Sequence, residues 1–368
     1  MLNRGIFFVC IFAFGIFPST SSVQLAKVED QSCEDGVYPP KDVPEVTSEV
    51  IDLDVSPGDR YNDLATKKTQ QVPNGPLVYT LPSPYKEEII GLSKASGIPV
   101  GEVVLYNIFY EVFTVCTSIV AENKKGKLYH ARNLDFGLFV GWDNKTDTWG
   151  LSEVLRPLVV NLDFKKGGKT LYKTVSFAGY VGVITGLKPG LFSLTLNERF
   201  NINGGYIGII EWIFGKRDAK WSSFLSRDVL EHANSFSEAH DMLANTEVLA
   251  PVYYILGGNK SGEGVVVTRD RTKNLQENRM DPAKGKWFVL QTNYDFWKPP
   301  LLIDDRRTPG TFCMNKVGQS EIGFKGLYNV LSSQPVLNKL TTYTVLMQVN
   351  SGELVSYIRN CRTPCFPW

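Results

Sequence analysis

The sequence predicts an α+β fold in which helices cover antiparallel β-sheets. Three observations lead to this prediction. Helical periodicity is followed by a long series of strand signals, then by helices, and then by strands again. Short turns rich in Gly, Lys, Pro and Asn separate the strands, which favours antiparallel pairing. The chain has 368 residues, of which 43% are hydrophobic, and this suffices for one large domain or two small ones.

The first part of the chain changes character near Tyr85. Residues 32–84 are rich in Pro, Gly and charge, so we expect an extended segment that wraps the protein and has little core of its own. Helical periodicity covers residues 85–92 and, after a break at Ile98 and Pro99, residues 100–111.

A β-hairpin is predicted next. Residues 116–121 form the first strand, residues 123–127 the turn, and a second strand starts at residue 128 and leads into the polar residues 132–137.

Blocks of strands and helices follow in the rest of the chain. The expected elements are strands at 158–164, 171–178, 181–187 and 191–196, helices at 207–214, 221–233 and 237–245, hairpins around 257–264 and 281–286, and a final strand pair at 342–349 and 354–358.

The first 22 residues are typical of a secretory signal peptide. Arg4 gives the positive start, residues 6–17 are apolar, and small residues follow at 19–22. Asn144 and Asn259 begin N-glycosylation sequons that agree with a secretory route.

The charge is nearly balanced, with 39 Lys and Arg against 38 Asp and Glu, so the composition indicates no nucleic-acid binding. In an acidic compartment the three histidines raise the net charge, which modestly favours contact with anionic lipid.

Removal of the signal peptide leaves five cysteines, an odd number. A short loop between Cys361 and Cys365 and a long-range bridge between Cys33 and Cys313 would leave Cys116 over, although four cysteines allow three pairings. A buried core thiol is the commoner fate of a lone cysteine.

Cys116 is the candidate nucleophile. Cleavage of the peptide bond before it would place a thiol and an α-amine on one residue, as nucleophile and base, in the manner of N-terminal threonine hydrolases. Arg132 and Asp135 would flank it. A papain-like alternative needs a histidine, and His130, His232 and His240 are the three available. The chain has no CxxC or HExxH pattern, so we expect no metal site.

Two strand ends and one charged cluster add candidates. Residues 194–200 end in a polar group that includes Glu198, and Asn293 follows another buried strand, where its amide could donate to an oxyanion. The cluster at 304–307, which includes Arg306, would by default be a set of surface ion pairs.

Six segments together resemble the acid ceramidases. They are CTSIVAE (116–122), RNLD (132–135), FAGYVG (177–182), NERF (197–200), QTNYD (291–295) and DDRRTP (304–309). The wider group is the N-terminal nucleophile hydrolases that include N-acylethanolamine acid amidases and bile-salt hydrolases. The amidases share the Cys116 hairpin and residues 304–307, whereas residues 192–205 and the Cys361 to Cys365 pair with Trp368 resemble the ceramidases specifically.

The resemblance implies a four-layer αββα fold and a precursor that cuts itself between Val115 and Cys116. The products are an α subunit (23–115) and a β subunit (116–368), and the reaction is hydrolysis of the ceramide amide bond through a Cys116 thioester. The alternatives are an N-acylethanolamine acid amidase or a lipid-binding homologue without turnover. It further implies these roles: Asp135 orients the amine, Arg132 favours the thiolate, Asn293 donates to the oxyanion, and Glu198 with Arg306 forms a charged network.

The same resemblance implies a lysosomal protein, partly secreted, that needs no cofactor. Its partners would be ceramide or a related N-acyl lipid, an anionic membrane surface and a saposin-like activator. Residues 206–214 could line a lipid groove, although such stretches are more often ordinary core. The stretch before Tyr85 is shorter than the family pattern, which bears on membrane docking and maturation.

Overall fold

Two β-sheets stacked face to face form the centre of the computed structural model. The structure describes residues 32–66, 76–108, 114–136, 142–143, 145–200 and 205–365, so the predicted signal peptide and Asn144 lie outside the described residues. Within the described residues, the larger sheet has eight strands in the order β1-β6-β7-β8-β9-β10-β11-β12, and the smaller has five, in the order β13-β2-β3-β14-β15.

The strands of the smaller sheet carry the predicted hairpin. They are β2 (Thr114–Glu122), β3 (Leu128–Phe136), β13 (Phe288–Gln291), β14 (Thr341–Gln348) and β15 (Glu353–Ile358). All pairs in this sheet are antiparallel.

The larger sheet is antiparallel except at one edge, where β1 pairs in parallel with β6. Its strands are β1 (Ser48–Asp52), β6 (Val159–Lys166), β7 (Lys169–Phe177), β8 (Thr185–Lys188), β9 (Phe192–Glu198), β10 (Val252–Gly257), β11 (Gly264–Arg269) and β12 (Asn274–Arg279). A separate short pair consists of β4 (Trp142–Asp143) and β5 (Thr148–Trp149).

Helices cover both outer faces of the sheets. They are α1 (Asn62–Thr66), α2 (Tyr85–Ser96), α3 (Val100–Ile108), α4 (Gly150–Leu155), α5 (Gly205–Ile213), α6 (Ser222–His232), α7 (Phe236–Asn245), α8 (Arg307–Val317) and α9 (Phe324–Ser332). The α6 and α7 helices pack on the larger sheet, and α8 and α9 pack on the smaller one. The predicted αββα layering is confirmed. Of the helices in the described ranges, none combines the length and the apolar character needed to cross a bilayer.

Alternation along β2 and β3 decides which side chains enter the space between the sheets. Cys116 pairs with Leu134, Ser118 with Arg132, and Val120 with His130. Because successive side chains of a strand point to opposite faces, Cys116, Ser118, Arg132 and His130 share one face. That face meets β9 and β10 of the larger sheet.

The segment before α2 differs from the expected extended wrap. It contributes β1, and it buries Val46, Ile51, Tyr61 and Leu64 in the main core. Its apolar residues follow no regular period because its elements are short, so the sequence pattern did not show that it belongs to the core.

Two further differences concern local elements. The hairpin expected around 281–286 is wrong, since the strand before it pairs in the larger sheet and the strand after it in the smaller one. A single isolated bridge joins Asp281 and Lys286, so this turn connects the two layers. The residues after Asp304 also form α8 and α9, which sequence patterns did not predict.

Candidate active site

Cys116 lies near the start of β2 and is fully buried. Among the described cysteines it is the one outside a disulfide, because Cys33 pairs with Cys313 and Cys361 with Cys365. The proposed division between α and β subunits falls within β2, and it stays a prediction.

Arg132 supplies the positive charge next to the sulfur. Its Nη2 donates to Cys116 Sγ at 2.6 Å, and its Nη1 donates to the Ile184 carbonyl at 2.7 Å and to Thr185 Oγ1 at 3.0 Å. The guanidinium is thus oriented by β8 and its flank while it faces the thiol. A positive charge at this distance favours the thiolate, which is the nucleophilic form.

The backbone of Cys116 is held on both sides by side chains. Its N–H donates to Asn293 Oδ1 at 2.8 Å, and its carbonyl accepts from Arg306 Nη1 at 2.6 Å. Arg306 Nη2 also donates to Asn293 Oδ1 at 2.9 Å. Arg306 is buried, with 1% of its surface exposed, so the default interpretation of residues 304–307 as a surface cluster is wrong for this residue.

Asn293 faces the opposite way from the expected oxyanion donor. Its Nδ2 donates to the carbonyls of Thr114 at 3.1 Å and Glu198 at 2.8 Å. Its oxygen is the group that contacts the Cys116 nitrogen.

Asp135 lies on the other face of β3 from Arg132. Its carboxylate accepts from Thr341 Oγ1 at 2.6 Å, from Asn338 Nδ2 at 3.3 Å and from Arg306 Nη1 at 3.4 Å. Burial raises the pKa of Asp135 to about 6, although Arg306 and the two hydrogen bonds oppose this shift. The structure therefore connects Asp135 to Cys116 through Arg306, whereas Asn293 holds the nitrogen we expected Asp135 to orient.

Glu198 and Arg306 meet at Asn293. Glu198 Oε2 accepts from the Thr114 N–H at 2.7 Å, and the Glu198 carbonyl accepts from Asn293. Arg306 bonds Asp304 through Nε at 2.8 Å and Nη2 at 3.0 Å. Asn293 thus links Arg306 to the backbone carbonyl of Glu198, while the Glu198 carboxylate bonds Thr114, and the expected charged network of Glu198 with Arg306 stays a prediction.

Asn197 is a neighbour of the site that the sequence analysis did not single out. Its Oδ1 lies 3.4 Å from Arg132 Nη2, and its Nδ2 donates to the carbonyls of Gln291 and Thr292. The signal in the sequence was the alternation of polar residues at 193, 195 and 197 with apolar residues at 192, 194 and 196. Such alternation marks a strand with one polar face.

The three histidines form their described hydrogen bonds with groups other than the Cys116 sulfur. His130 bonds the hydroxyls of Ser193 and Thr195, and burial together with the Arg132 charge lowers its pKa to about 3. His232 bonds the Asp228 carbonyl, and His240 contacts Asp241 and Glu277 on the surface side of α7. These contacts favour the guanidinium over an imidazole as the group that activates the thiol.

The α5 helix is partly exposed and strongly apolar. Ile207, Ile210 and Ile213 are each about half exposed, at 46%, 51% and 55%. Trp212, on its inner side, is buried and lines a small apolar pocket with Val104 of α3. The helix therefore contributes both to the core and to an apolar surface.

Asn259, the sequon residue inside the described ranges, lies in the turn after β10. Its side chain donates to the Gly190 carbonyl at 2.6 Å, and the residue is half-buried.

Taken together, the contacts suit nucleophilic attack on an amide. A guanidinium faces the thiol, and the nitrogen that would become an α-amine already has an oxygen acceptor. A second guanidinium holds the adjoining carbonyl. Such prepositioned donors stabilise charge at a water-excluded site.

Comparison with known proteins agrees with this geometry. Residues 116–311 match the family described as linear amide C–N hydrolases, choloylglycine hydrolase family. Acid ceramidase of Pan troglodytes is 48% identical over 382 residues, which cover 95% of this chain and 96% of that protein. Acid ceramidase of Macaca fascicularis is 46% identical over 400 residues and 100% of both chains.

A solved structure gives the same assignment of fold. The Caenorhabditis elegans N-acylethanolamine-hydrolyzing acid amidase ortholog superposes with a TM-score of 0.56 at 33% identity, covering 66% of this chain and 100% of that chain. The alignment with the Macaca fascicularis protein is longer than the 368 residues of this chain, so that relative has residues without a counterpart here.

Proposed function

The chain belongs to the acid ceramidases within the choloylglycine hydrolase family of linear amide C–N hydrolases, and from this premise we propose that it hydrolyses ceramide. The products are sphingosine and a free fatty acid. The support is the name of the relatives, which match nearly the whole chain at 46% to 48% identity.

We propose that the chain first cuts itself. The Cys116 thiolate attacks the Val115 carbonyl carbon, the peptide C–N bond breaks, and the nitrogen takes a proton to become the α-amine of Cys116. Water then hydrolyses the resulting thioester, which leaves a carboxylate on Val115 and restores the thiol. Val115 and Cys116 are both buried in β2, so attacking and attacked groups lie on adjacent residues of one rigid strand.

In turnover the α-amine takes the thiol proton and the thiolate attacks the substrate amide carbonyl. The C–N bond breaks, sphingosine leaves with a proton, and the acyl group remains on sulfur until water releases it as a fatty acid. Asn293 keeps its oxygen on the amine. Its Nδ2 donates to Thr114 O, two residues before the cut, so departure of that strand end makes the Nδ2 available to the oxyanion.

The observation that carries the proposal is the contact of Arg132 Nη2 with Cys116 Sγ at 2.6 Å. It places a fixed cation on the one described cysteine outside a disulfide, at the residue where the family match begins.

A second candidate is hydrolysis of N-acylethanolamines. The structural likeness to the Caenorhabditis elegans amidase ortholog favours it, since the two share the fold that carries Cys116. Both substrates contain an N-acyl bond and differ in the amine that leaves.

We further propose a lysosomal location with some secretion, on the strength of the signal-like first 22 residues and the two sequons. The half-exposed isoleucines of α5 support contact with a membrane. We propose an anionic one, since His232 and His240, which are not buried, add positive charge at acidic pH, with or without a saposin-like activator.

The test starts from purified precursor incubated at acidic pH. Intact mass measurement of wild type and Cys116→Ala follows the cut, and kcat/KM is then measured for ceramide and for the N-acylethanolamine with the same acyl chain. We expect a chain that begins at Cys116 in the wild type alone, and a higher kcat/KM for ceramide than for the N-acylethanolamine.

Each alternative has its own outcome. A reversed substrate preference identifies the protein as an N-acylethanolamine amidase. A chain that never cuts and never turns over either substrate, while Cys116→Ala and wild type melt at the same temperature, supports the binding homologue without turnover.

A further inference from the structure

A row of polar side chains crosses the space between the two sheets and ends at the active site. Its members are His130, Ser118, Thr195 and Asn197, and each has at most 1% of its surface exposed. Buried polar groups cost free energy unless they are hydrogen-bonded, so a continuous row of them inside a core needs an explanation.

Hydrogen bonds connect the row without a gap. His130 Nε2 lies 3.0 Å from Thr195 Oγ1, and Thr195 donates to Ser118 Oγ at 2.9 Å. Ser118 donates to Asn197 Oδ1 at 2.9 Å. The same Asn197 oxygen lies 3.4 Å from Arg132 Nη2, the atom that contacts the Cys116 sulfur.

The direction of these bonds follows from the number of protons. Each hydroxyl has one proton, and those of Thr195 and Ser118 are both donated toward Asn197. His130 Nε2 must therefore be the donor to Thr195, which leaves Nδ1 as an acceptor. Ser193 Oγ lies 2.9 Å from Nδ1 and 3.3 Å from the Gly257 carbonyl, the other acceptor for its proton. Burial and Arg132, the charged group that faces the ring, lower the pKa of His130 to about 3, so the imidazole stays neutral.

The Cys116 sulfur at 2.6 Å and the Asn197 oxygen at 3.4 Å compete for the protons of Arg132 Nη2. The Asn197 oxygen already accepts a hydrogen bond from Ser118, which weakens the attraction between this oxygen and the Arg132 guanidinium. Asn197 cannot turn away, because its Nδ2 is held by the carbonyls of Gln291 and Thr292.

We propose that His130 is a positioning residue for Cys116, acting through Thr195, Ser118 and Asn197 to keep Arg132 on the sulfur. This inference rests on the proposed role of Cys116 as nucleophile. Without the His130 donor, the Ser118 hydroxyl is free to turn toward Thr195. Asn197 Oδ1 then attracts Arg132 Nη2 more strongly, and the positive charge moves away from the Cys116 sulfur.

The test measures the thiol directly. The rate of alkylation of Cys116 by iodoacetamide is followed against pH, together with kcat and KM, in the matured protein. Arg132 and Tyr343 both face the sulfur, and burial raises the pKa of Tyr343 to about 12, so the tyrosine stays neutral at acidic and neutral pH.

Two substitutions of His130 separate its nitrogens. The amide nitrogen of His130→Gln can replace the Nε2 donor, whereas the side chain of His130→Asn reaches only the Nδ1 position. We expect His130→Asn to slow alkylation and kcat by about three- to tenfold, the scale of one buried hydrogen bond, with KM unchanged. His130→Gln should stay within about twofold of wild type.

The matched control and the rescue lie on β9. Ser193→Ala removes the hydroxyl on the other side of the imidazole and should leave the alkylation rate unchanged. Thr195→Val removes the hydroxyl that receives the Nε2 proton, so it should slow alkylation as His130→Asn does. Thr195→Ser keeps that hydroxyl and should restore the wild-type rate. Thermal unfolding of each variant shows whether it is folded.

Unchanged alkylation in both His130→Asn and Thr195→Val would overturn the inference, as would an equal loss in Ser193→Ala. Because alkylation involves no ceramide, the result is independent of the substrate. Ceramide turnover by Cys116→Ala would instead refute the proposed function.

Discussion

Two buried arginines contact different atoms of Cys116. Arg132 contacts the sulfur, and Arg306 contacts the carbonyl of the same residue and the Asn293 oxygen. A guanidinium presents several N–H donors in a fixed plane, which a lysine ammonium cannot reproduce. The two guanidinium groups therefore fix the positions of the Cys116 sulfur and carbonyl oxygen and place positive charge beside both.

The raised pKa of Asp135 makes stability depend on pH. The folded carboxyl, with a pKa of about 6 against an ordinary value of 3.8, binds its proton more tightly than the unfolded chain does. The free energy of unfolding should thus fall as pH rises from about 4 to about 6. In a Cys116→Ala background, Asp135→Asn should reduce this slope by up to about 1.4 kcal/mol per pH unit, measured by urea unfolding.

The control is Asp42→Asn, which removes a carboxylate at an exposed position. An identical slope in Asp135→Asn and its parent would show that Asp135 does not titrate in this range.

Sequence reasoning reached the site residues unequally. Cys116, Arg132 and Asp135 lie within 20 positions of one another on a hairpin, so their pattern and resemblance could identify them. The partners Asn338 and Thr341 are more than 200 positions away from Asp135, and pairing at that distance depends on the register of β14 with β3. No local pattern contains that register.

At the scale of elements, α2 and α6 are joined by a buried ion pair. Arg227 of α6 donates to both carboxylate oxygens of Glu88 on α2, at 2.5 and 2.8 Å, and both side chains are fully buried. Arg60 adds a further bond to Glu88 at 2.9 Å. Helix α2 precedes the proposed cut and α6 follows it, so this pair holds the two products together.

Glu88→Gln should cost about 1 to 3 kcal/mol of unfolding free energy, because it removes the fully buried partner of Arg227, while Glu231, which accepts from Arg227 Nε at 2.7 Å, still offsets part of the charge. Urea unfolding in the Cys116→Ala background measures it. Glu102→Gln makes the same change at an exposed position of α3 and should differ little from its parent. A loss below about 1 kcal/mol for Glu88→Gln would mean that Glu231 alone suffices to compensate the Arg227 charge.

The elements that the sequence predicted well are those with strong periodicity, such as α2, β2 and the strands of the meander. Helix α8 begins at the end of the polar residues 304–307, which have the composition of a surface cluster, and α9 lies outside the stretches in which helical periodicity was found. The turn at 281–286 has the composition of a hairpin, but β12 and β13 find their partners in different sheets. The partners of these two strands are set by tertiary packing, which the composition of the turn does not reveal.

At the scale of the whole molecule, one disulfide bridges the proposed cut. Cys33 lies before Val115 and Cys313 after it, and they are 280 positions apart. The two products are thus joined by a covalent bond as well as by the buried ion pair.

Without reduction, the denatured matured protein should have the mass of the signal-free precursor plus one water, and reduction should release two chains. The double variant Cys33→Ser with Cys313→Ser should release both chains on denaturation alone, yet give one species under native conditions. Two separate chains in the unreduced wild type would contradict the observed pairing.

The parallel pairing of β1 with β6 also affects how the large chain can be produced. Hydrogen bonds continue past the ends of the pair, from Asn161 N to Thr47 O at 2.8 Å and from Leu53 N to Lys165 O at 2.8 Å. A large chain made alone would expose β6 as an open sheet edge, the kind of surface that recruits other chains and aggregates. We therefore expect the segment before the proposed cut to protect this edge of β6 while the protein folds, and recombinant production of the large chain should start from both parts in one polypeptide.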